Sequence, residues 1–333
     1  MEYFIANKGS CQPKLIDQIV NKYYNTCCGE IMYYYTLNEY LKNQFGQKVY
    51  KLALHSGATC PNRDGTVGYG GCIFCSMDGS GDFAEKCRTS VTEQIENAKL
   101  RVAKKVSQGK YIAYFQSFTA TYAPIEQQKR QFTEAIEHPD VVALSIATRP
   151  DCLPAEVLEL LAELNKIKPV WVELGLQSIH KDTANYIRRG YELEVFDQAV
   201  EQLKALDLKV IVHLIIGLPN ETREMMFESA RYVGSKGVDG VKFQLLHILE
   251  NTDIANDYRK GLFSLPSLED YAEIVAECIR LTPKNTVIHR ITGDGNKKTL
   301  IAPIWSADKK YVYQFMIDHF NKIDLKQGEK TEP

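Results

Sequence analysis

The sequence predicts an α/β fold, namely a partial, open (β/α)6 barrel with a small C-terminal extension. Three observations predict it. Short apolar segments of strand character alternate with amphipathic helical segments, six strand segments occur in this series, and polar or glycine residues follow their carboxyl ends. Such alternation is typical of a parallel sheet wound by right-handed crossovers. Because a closed eight-stranded barrel fills its interior with side chains, we expect six strands to leave a cleft that admits a bulky ligand.

The predicted elements follow one another from residue 33 onward. A short helix in residues 33–41 precedes the barrel, and a helix at 268–281 and a strand at 285–292 follow it. Residues 325–333 are polar, and we expect them to be frayed. The barrel strands are predicted at residues 49–55, 111–115, 141–147, 170–176, 209–216 and 240–246, with helices at 91–106, 124–137, 154–164, 180–188, 195–206 and 221–235.

We expect the chain to be organised in three regions. Residues 1–31 show no clear period and form a poorly ordered N-terminal extension. Residues 32–250 form the barrel core, and residues 251–333 form the C-terminal extension. The 333 residues, 44% of them hydrophobic, are enough for one large core.

Composition narrows the class of protein. A net charge of −2 creates no global field, so a nucleic-acid partner would need a local basic patch. Nine cysteines without an export signal indicate reduced thiols and metal ligation, and therefore a cytoplasmic protein. No apolar run approaches the length of a membrane span, so no membrane partner is expected.

A glycine-rich loop at residues 60–75 carries three thiols. Eleven residues separate Cys60 from Cys72, and two separate Cys72 from Cys75. The glycines between them let the backbone fold back, so the three sulfurs can face one centre. The loop follows the first predicted strand, at the barrel edge where active sites lie. Since iron–sulfur clusters usually take a thiolate on every iron, three thiols would leave one iron open.

A zinc site is the alternative interpretation of the same loop. A Cys-x2-Cys pair with two further ligands is the usual zinc arrangement, and His55 or Cys87 could complete it. The position of the loop directly after a strand favours the barrel site.

With Phe74 directly before the last thiol, this loop resembles that of the radical S-adenosylmethionine (SAM) superfamily, in its variant with a longer first gap. Within it, the chain resembles the YtqA/YhcC-like group, which is related to the radical domain of the Elongator catalytic subunit. The resemblance implies a TIM-like partial barrel and a [4Fe–4S] cluster held by Cys60, Cys72 and Cys75. Its open iron would bind SAM, whose reductive cleavage gives a 5′-deoxyadenosyl radical that takes hydrogen from a substrate. An electron donor such as flavodoxin or ferredoxin is also implied.

The resemblance also assigns SAM-binding residues to the strand ends. Gln116 is the candidate for the methionine amino group, although the glycine-rich motif of the relatives is absent. Glu173 lies inside an apolar strand, where an unpaired carboxylate is costly. Together with Gln177 and Ser178, it is assigned to the ribose or amino end of the cofactor.

Further candidates follow the later strands. Ile215 and Gly217 would support the adenine, as in the adenine-binding strand of the superfamily, and His213 stands where a glycine is common. His247 is a candidate proton donor, or a core histidine. Arg149 could clamp a carboxylate or phosphate, or pair with Asp151 at the strand end.

The YtqA-like group implies a tRNA substrate. The reaction would convert 5-carboxymethylaminomethyluridine, or its 2-thio form, to the 5-aminomethyl nucleoside at the wobble position, and a tRNA methyltransferase would then act on the amine. Unstacked anticodon bases could rest on aromatic faces and phosphates on basic residues of the C-terminal extension. The alternatives are radical chemistry on a small metabolite or protein side chain, and a non-catalytic, zinc-stabilised RNA-binding module. The aromatic candidates are Tyr69, Phe118, Tyr122 and Tyr258, and the basic ones are Arg290, Lys297, Lys298, Lys309 and Lys310.

Overall fold

The computed structural model describes residues 33–77, 79, 84, 89–103, 109–293 and 295–331. The chain divides into two compact units, residues 1–32 and 33–333, and the described residues all belong to the second. The N-terminal extension expected at residues 1–31 and the candidate ligand Cys87 lie outside the described residues.

A seven-stranded parallel sheet is the centre of the second unit, which confirms the predicted α/β partial barrel. The described strands are β1 (Val49–Leu54), β2 (Lys110–Phe115), β3 (Val141–Thr148), β4 (Val170–Gln177), β5 (Lys209–Ile216), β6 (Gly240–Leu245), β7 (Ile248–Leu249), β8 (Val287–Arg290) and β9 (Leu300–Ala302). Strands β1 to β6 pair in chain order, and β8 pairs with β6 at the end of the sheet. Because crossovers of one hand all turn the same way, the sheet curls into a half-barrel.

The seventh strand comes from the region that the sequence analysis assigned to the C-terminal extension. Gly240 pairs with Val287 and Val241 with Ile288, so β8 lengthens the sheet in the parallel direction. Strands β7 and β9 form a separate antiparallel pair. The C-terminal region therefore takes part in the barrel sheet.

Capping side chains mark the start of several helices. Ser90 and Glu93 form a capping box at the start of the helix Val91–Val102, and Thr222 and Ser267 cap the starts of the helices Arg223–Ser235 and Leu268–Arg280. Of the helices in the described part of the chain, none is both long enough and apolar enough to span a bilayer. They are α1 (Leu37–Phe45), α2 (Val91–Val102), α3 (Ile125–Glu137), α4 (Ala155–Asn165), α5 (Lys181–Tyr186), α6 (Leu193–Ala205), α7 (Arg223–Ser235), α8 (Asp253–Arg259), α9 (Leu268–Arg280) and α10 (Lys309–Lys322).

The C-terminal tail is ordered, so the expectation of fraying is wrong for residues 325–331. The side chain of Leu325 is 1% exposed. The amide of Gln327 accepts a hydrogen bond from Tyr35 N at 2.7 Å and donates to the carbonyls of Pro283 and Thr286 at 2.7 and 2.8 Å. A polar side chain thus supplies the partners that three backbone groups need.

Residues that alternate along the strands form layers inside the curled sheet, because every second side chain faces the interior. The lowest layer is an apolar plug made by the strand residues Val49, Ile112, Ala143, Trp171 and Ile211, against which Leu41 of α1 packs. Two residues further along the strands, the interior positions are polar and charged. We call this second set the charged layer, and it consists of Lys51, Tyr114, Ser145, Glu173, His213 and Lys242.

Candidate active site

A cavity of about 580 Å³ occupies the inside of the half-barrel. All three cysteines of the glycine-rich loop line it, and so do residues of the charged layer. The loop follows β1 at its carboxyl end, whereas the charged layer lies deeper, directly above the apolar plug. The cavity therefore joins a thiol-rich end to a charged end.

The cysteine loop is built by local turns. Arg63 N donates to the carbonyl of Cys60 at 2.8 Å, and Cys75 N donates to the carbonyl of Cys72 at 2.9 Å. Gly71 has φ +87°, and a Cβ atom there would lie 3.0 Å from Arg63 Nε, so this position requires glycine. The turns bring the three cysteines, all of them free thiols, to the wall of one cavity.

The three sulfur atoms are too far apart to share a single ion. Among the described residues, the one set of three His, Cys, Asp or Glu ligand atoms within 4.8 Å of one another is that of Glu96, His138 and Asp140. A tetrahedral zinc ion with Zn–S bonds of about 2.3 Å would hold its sulfurs roughly 3.8 Å apart. In a cluster each thiolate binds its own iron, which permits the wider spacing.

Of the two residues named as further zinc ligands, Cys87 lies outside the described residues. His55 Nδ1 accepts a hydrogen bond from Gly57 N at 2.8 Å. In the set of Glu96, His138 and Asp140, the ammonium of Lys99 lies 2.7 Å from both carboxylates. A lysine thus supplies the positive charge there.

The environment of Cys72 suits a cationic cluster. Burial raises the pKa of the Cys72 thiol to about 12, and the nearby Cys75 adds to the effect. Asn62 Nδ2 donates to Cys72 Sγ at 3.4 Å, which stabilises the thiolate. Iron bound at Cys72 would supply the positive charge that ionisation of this buried thiol requires, so the residues present fit the group.

The structure brings five of the seven candidate SAM-binding residues to the cavity, together with His247. Ser178 and Gly217 are not part of its lining. Ser178 Oγ is hydrogen-bonded to the carboxylate of Glu221 and accepts from His180 N at 3.1 Å. Gly217 has φ +88° and lies against Pro266, so both residues form the turns at the strand ends. The candidates that line the cavity are Phe74, Gln116, Glu173, Gln177 and Ile215.

Glu173 is 1% exposed and is the centre of the charged layer. Its Oε1 accepts from Lys51 Nζ at 2.5 Å and from Ser145 Oγ at 2.7 Å. Its Oε2 accepts from His213 Nε2 at 2.7 Å and from Lys242 Nζ. An unpaired carboxylate inside an apolar strand would be costly, and Glu173 is instead paired with two lysines.

The pKa values in this layer follow from burial and from the crowding of like charges. Burial opposes ionisation of Glu173, but Lys242 and Lys51 outweigh it and hold the pKa well below its usual value. Burial, with the charges of Lys51 and Arg290, lowers the pKa of Lys242 to about 7 against the pull of Glu173. Burial and Lys242 lower the pKa of His213 to about 4. At neutral pH His213 is uncharged.

Lys51 and Lys242 were not predicted as site residues, although the sequence carries a signal for them. Each is a charged residue within an otherwise apolar strand, which is the pattern that identified Glu173. Arg290 was assigned to a basic surface, but it lines the cavity beside His289.

Arg149 pairs with Asp151 at the end of β3. Its Nε and Nη2 donate to the two carboxylate oxygens at 2.8 and 2.7 Å, and its Nη1 donates to the carbonyl of Arg189 at 2.8 Å. The guanidinium lies over the ring of Tyr191, 5.2 Å from its centroid. Of the two interpretations of Arg149, the strand-end ion pair is the one found.

Comparisons with known proteins place this site in a family. The family model of the radical SAM superfamily matches residues 58–233, and that of the radical SAM C-terminal domain matches residues 238–319. YtqA of Bacillus subtilis is 46% identical over 276 residues, which cover 83% of this chain and 86% of that protein. A tRNA uridine(34) acetyltransferase of Methanocaldococcus jannaschii is 28% identical over 198 residues, or 58% of this chain and 36% of the acetyltransferase.

Structural similarity agrees with the sequence matches. The archaeal Elp3 of Methanocaldococcus infernus, solved with an N-terminal deletion, aligns with a TM-score of 0.62 and 21% identity over 84% of this chain and 64% of that one. The alignment shows a shared fold over somewhat less than two thirds of that protein. The expected relation to the YtqA-like and Elongator-related proteins is confirmed, and the chain belongs to the radical SAM superfamily of enzymes, whose members use SAM and a [4Fe–4S] cluster.

Proposed function

We propose that this enzyme binds a [4Fe–4S] cluster through Cys60, Cys72 and Cys75 and modifies the wobble uridine of tRNA. The observation that carries the proposal is the trio of free thiols, spaced more widely than one ion allows, on the wall of a 580 Å³ cavity. A cavity of this size suits a cofactor together with the reacting part of a substrate.

The cavity residues have distinct roles in this proposal. When bound, the cluster and SAM supply a 5′-deoxyadenosyl radical, with an electron from a donor such as flavodoxin or ferredoxin. Gln116 and Gln177 offer amide groups to the polar end of SAM, and Ile215 offers an apolar face to its adenine. Phe74 packs against the apolar cluster that includes Ile73 and Ile187 and lines the cavity, where it excludes water from the reacting groups.

The proposed substrate is 5-carboxymethylaminomethyluridine, or its 2-thio form, and the product is the 5-aminomethyl nucleoside. The related acetyltransferase carries tRNA uridine(34) in its name, which supports a wobble-uridine substrate. Hydrogen abstraction from the methylene between nitrogen and carboxylate is favoured, because both neighbours stabilise the carbon radical. Loss of one electron and a proton then gives an imine, which water cleaves.

The proposed reaction balances without a further oxidant. One substrate, one SAM and one water give methionine, 5′-deoxyadenosine, glyoxylate, a proton and the aminomethyl nucleoside. One electron starts the cleavage of SAM, and the substrate radical gives one electron back when it is oxidised to the imine. The reaction therefore consumes no net electron. A tRNA methyltransferase is the proposed next enzyme, because the product is a primary amine.

The proposal is tested with anaerobically reconstituted protein, SAM and dithionite, in the presence or absence of tRNA that carries the carboxymethylaminomethyl group. We expect a brown, oxygen-sensitive protein that forms 5′-deoxyadenosine, glyoxylate and aminomethyluridine when this tRNA is present. Cys72→Ala should abolish all three products. Cys278→Ala is the matched control, since Cys278 is buried in α9 and does not line the cavity.

Other outcomes separate the alternatives. Colourless protein with stoichiometric zinc would favour the RNA-binding module. Formation of 5′-deoxyadenosine with a small acid or peptide, and unchanged tRNA, would favour a metabolite or protein side chain as substrate. Binding of tRNA that weakens steeply with salt supports the nucleic-acid substrate.

A further inference from the structure

Asn62 is a buried residue of the cysteine loop, and its side chain lies beside the sulfur of Cys72. The residue is 4% exposed, and its Nδ2 donates to Cys72 Sγ at 3.4 Å. The same nitrogen donates to the carbonyl of Arg188, which follows α5. An amide nitrogen has two N–H groups, so it can serve both acceptors, one a peptide oxygen and the other a sulfur.

The contact with Arg188 determines which atom of the Asn62 amide faces the sulfur. Rotation of the amide by half a turn would exchange Nδ2 and Oδ1, and would bring Oδ1 against the carbonyl oxygen of Arg188. Two acceptors in contact repel each other, so the hydrogen-bond network assigns the nitrogen to this side. Cys72 Sγ therefore faces an N–H donor.

The neighbouring backbone leaves space for the Asn62 side chain. A Cβ atom at Gly68 would lie 2.5 Å from Asn62 Oδ1, and one at Gly190 would lie 3.6 Å from it. The main chain of Asn62 is held as well, because its carbonyl accepts from Gly71 N at 2.7 Å. The amide is thus packed closely in place beside the sulfur.

The carbonyl that orients Asn62 belongs to a residue in an uncommon backbone conformation. Arg188 has φ +56°, in the left-handed region that residues other than glycine rarely adopt. Its side chain pairs with Asp253, and the carbonyl of the preceding Ile187 accepts from Ile73 N at 3.3 Å. The segment after α5 therefore contacts the cysteine loop at two points, Asn62 and Ile73.

We propose that Asn62 is a positioning residue that raises the reduction potential of the [4Fe–4S] cluster through its hydrogen bond to Cys72. The inference rests on the cluster ligation of the proposed function and does not depend on the tRNA substrate. Reduction adds one negative charge to the cluster and its thiolates, and an N–H donor stabilises this extra charge. Since an electron must reach the cluster before SAM is cleaved, a higher potential makes that first transfer easier.

The test replaces the amide by an apolar side chain of similar size. Wild-type protein and Asn62→Leu are reconstituted with iron and sulfide in the absence of oxygen. Their midpoint potentials are measured without SAM, in a redox titration that follows the electron paramagnetic resonance signal of the reduced cluster. We expect the equilibrium constant for reduction to be about 10-fold smaller in Asn62→Leu, which lowers the potential by about 59 mV for one electron.

Thr66→Val is the matched control in the same loop. The Thr66 hydroxyl is hydrogen-bonded to Tyr122 Oη at 2.8 Å, so this substitution also removes a contact that holds the loop and also leaves the charge unchanged. Thr66→Val should keep the wild-type potential. A fall in potential equal to that of Asn62→Leu would overturn the proposal, because a general loosening of the loop would then explain both.

A purely structural role of Asn62 predicts a different result. If the residue only ties the loop to Arg188, Asn62→Leu should bind less iron and sulfide, while the cluster that remains keeps the wild-type potential. That result would overturn the proposal and leave the proposed function standing.

A measurement on the wild-type protein covers the case in which Asn62→Leu does not fold. The side-chain amides of asparagine are labelled with the heavy isotope of nitrogen, and electron spin-echo spectroscopy is applied to the reduced cluster. We expect a coupling to the labelled nitrogen, because Asn62 Nδ2 contacts a ligand sulfur. Absence of the coupling would overturn the proposal without any variant. Wild-type protein that binds neither iron nor sulfide would overturn the proposed function, and this inference with it.

Discussion

The ammonium of Lys51 lies 2.5 Å from Glu173 Oε1, although two strands separate β1 from β4 in the sheet. In a flat sheet these strands would be about 14 Å apart, since neighbouring strands lie about 4.8 Å apart. The carboxylate also meets Lys242 of β6, two strands away in the other direction. One buried group therefore connects strands from both sides of the half-barrel, and the contact depends on the curl of the sheet.

Glu173→Gln should destabilise the fold. The substitution leaves the buried Lys242 and the partly buried Lys51 without a carboxylate, and removal of one partner from a buried ion pair costs about 3–5 kcal/mol. We expect the free energy of unfolding in urea at pH 7 to fall by this order. Glu96→Gln, which removes an exposed partner of Lys99, is the control and should cost less than about 1 kcal/mol.

Acid should remove the same contribution from the wild-type protein. The folded-state pKa of Glu173 lies well below 4.5, its ordinary value, so the stabilisation is fully present above pH 4.5 and is lost as the pH falls further toward the folded-state pKa. The stability difference between wild type and Glu173→Gln should therefore shrink between pH 4.5 and 3. A constant difference over that range would contradict this assignment.

Arg149→Lys should loosen the end of β3. A lysine cannot make the two parallel bonds to Asp151 and also reach the Arg189 carbonyl, because its three donors share one nitrogen. We expect a loss of about 1–3 kcal/mol in unfolding free energy. Arg223→Lys is the control on α7, where the pairs with Asp270 and Glu273 are exposed, and a comparable loss there would argue against the special role of Arg149.

Tyr69→Ala should weaken tRNA binding without affecting the fold. Tyr69 is 80% exposed on the cysteine loop, so its ring can stack on an unpaired base. Stacking of one base is worth about 1–3 kcal/mol, which corresponds to roughly a 5-fold to 150-fold loss in affinity for the anticodon stem-loop. Tyr69→Phe keeps the ring and should retain the affinity, while both variants should unfold at the wild-type temperature.

Gln327→Ala should release the C-terminal tail. The substitution leaves Tyr35 N and two carbonyls without their partner, and we expect a loss of about 1–3 kcal/mol in unfolding free energy together with faster amide exchange in residues 325–331. Gln314→Ala, on the exposed side of α10, tests whether any glutamine has this effect and should change neither quantity.

Period-2 alternation places Glu173 and Gly175 on the cavity face of β4. Gln177 also lines the cavity, but the register of β4 shifts between Gly175 and Gln177, and Gln177 has φ +66°, so counting along the strand would not have placed it. Ser178 comes after the strand and turns away toward Glu221. The helix α10 was not predicted, because its buried residues Val312 and Met316 stand among tyrosines and lysines that hide the apolar period.

The amino-acid sequence by itself determined the features that depend on neighbours along the chain. These are the alternation of strands and helices, the caps of the helices, and the spacing of Cys60, Cys72 and Cys75 in a loop that glycine lets fold back. Only the tertiary structure decided which distant side chains meet. Lys51, Glu173 and Lys242 lie on strands far apart in sequence, and the curl of the sheet brings their charges together. The tertiary structure also decided that Gln327 docks beside Tyr35, because the local sequence does not show which backbone groups remain without partners in the folded core.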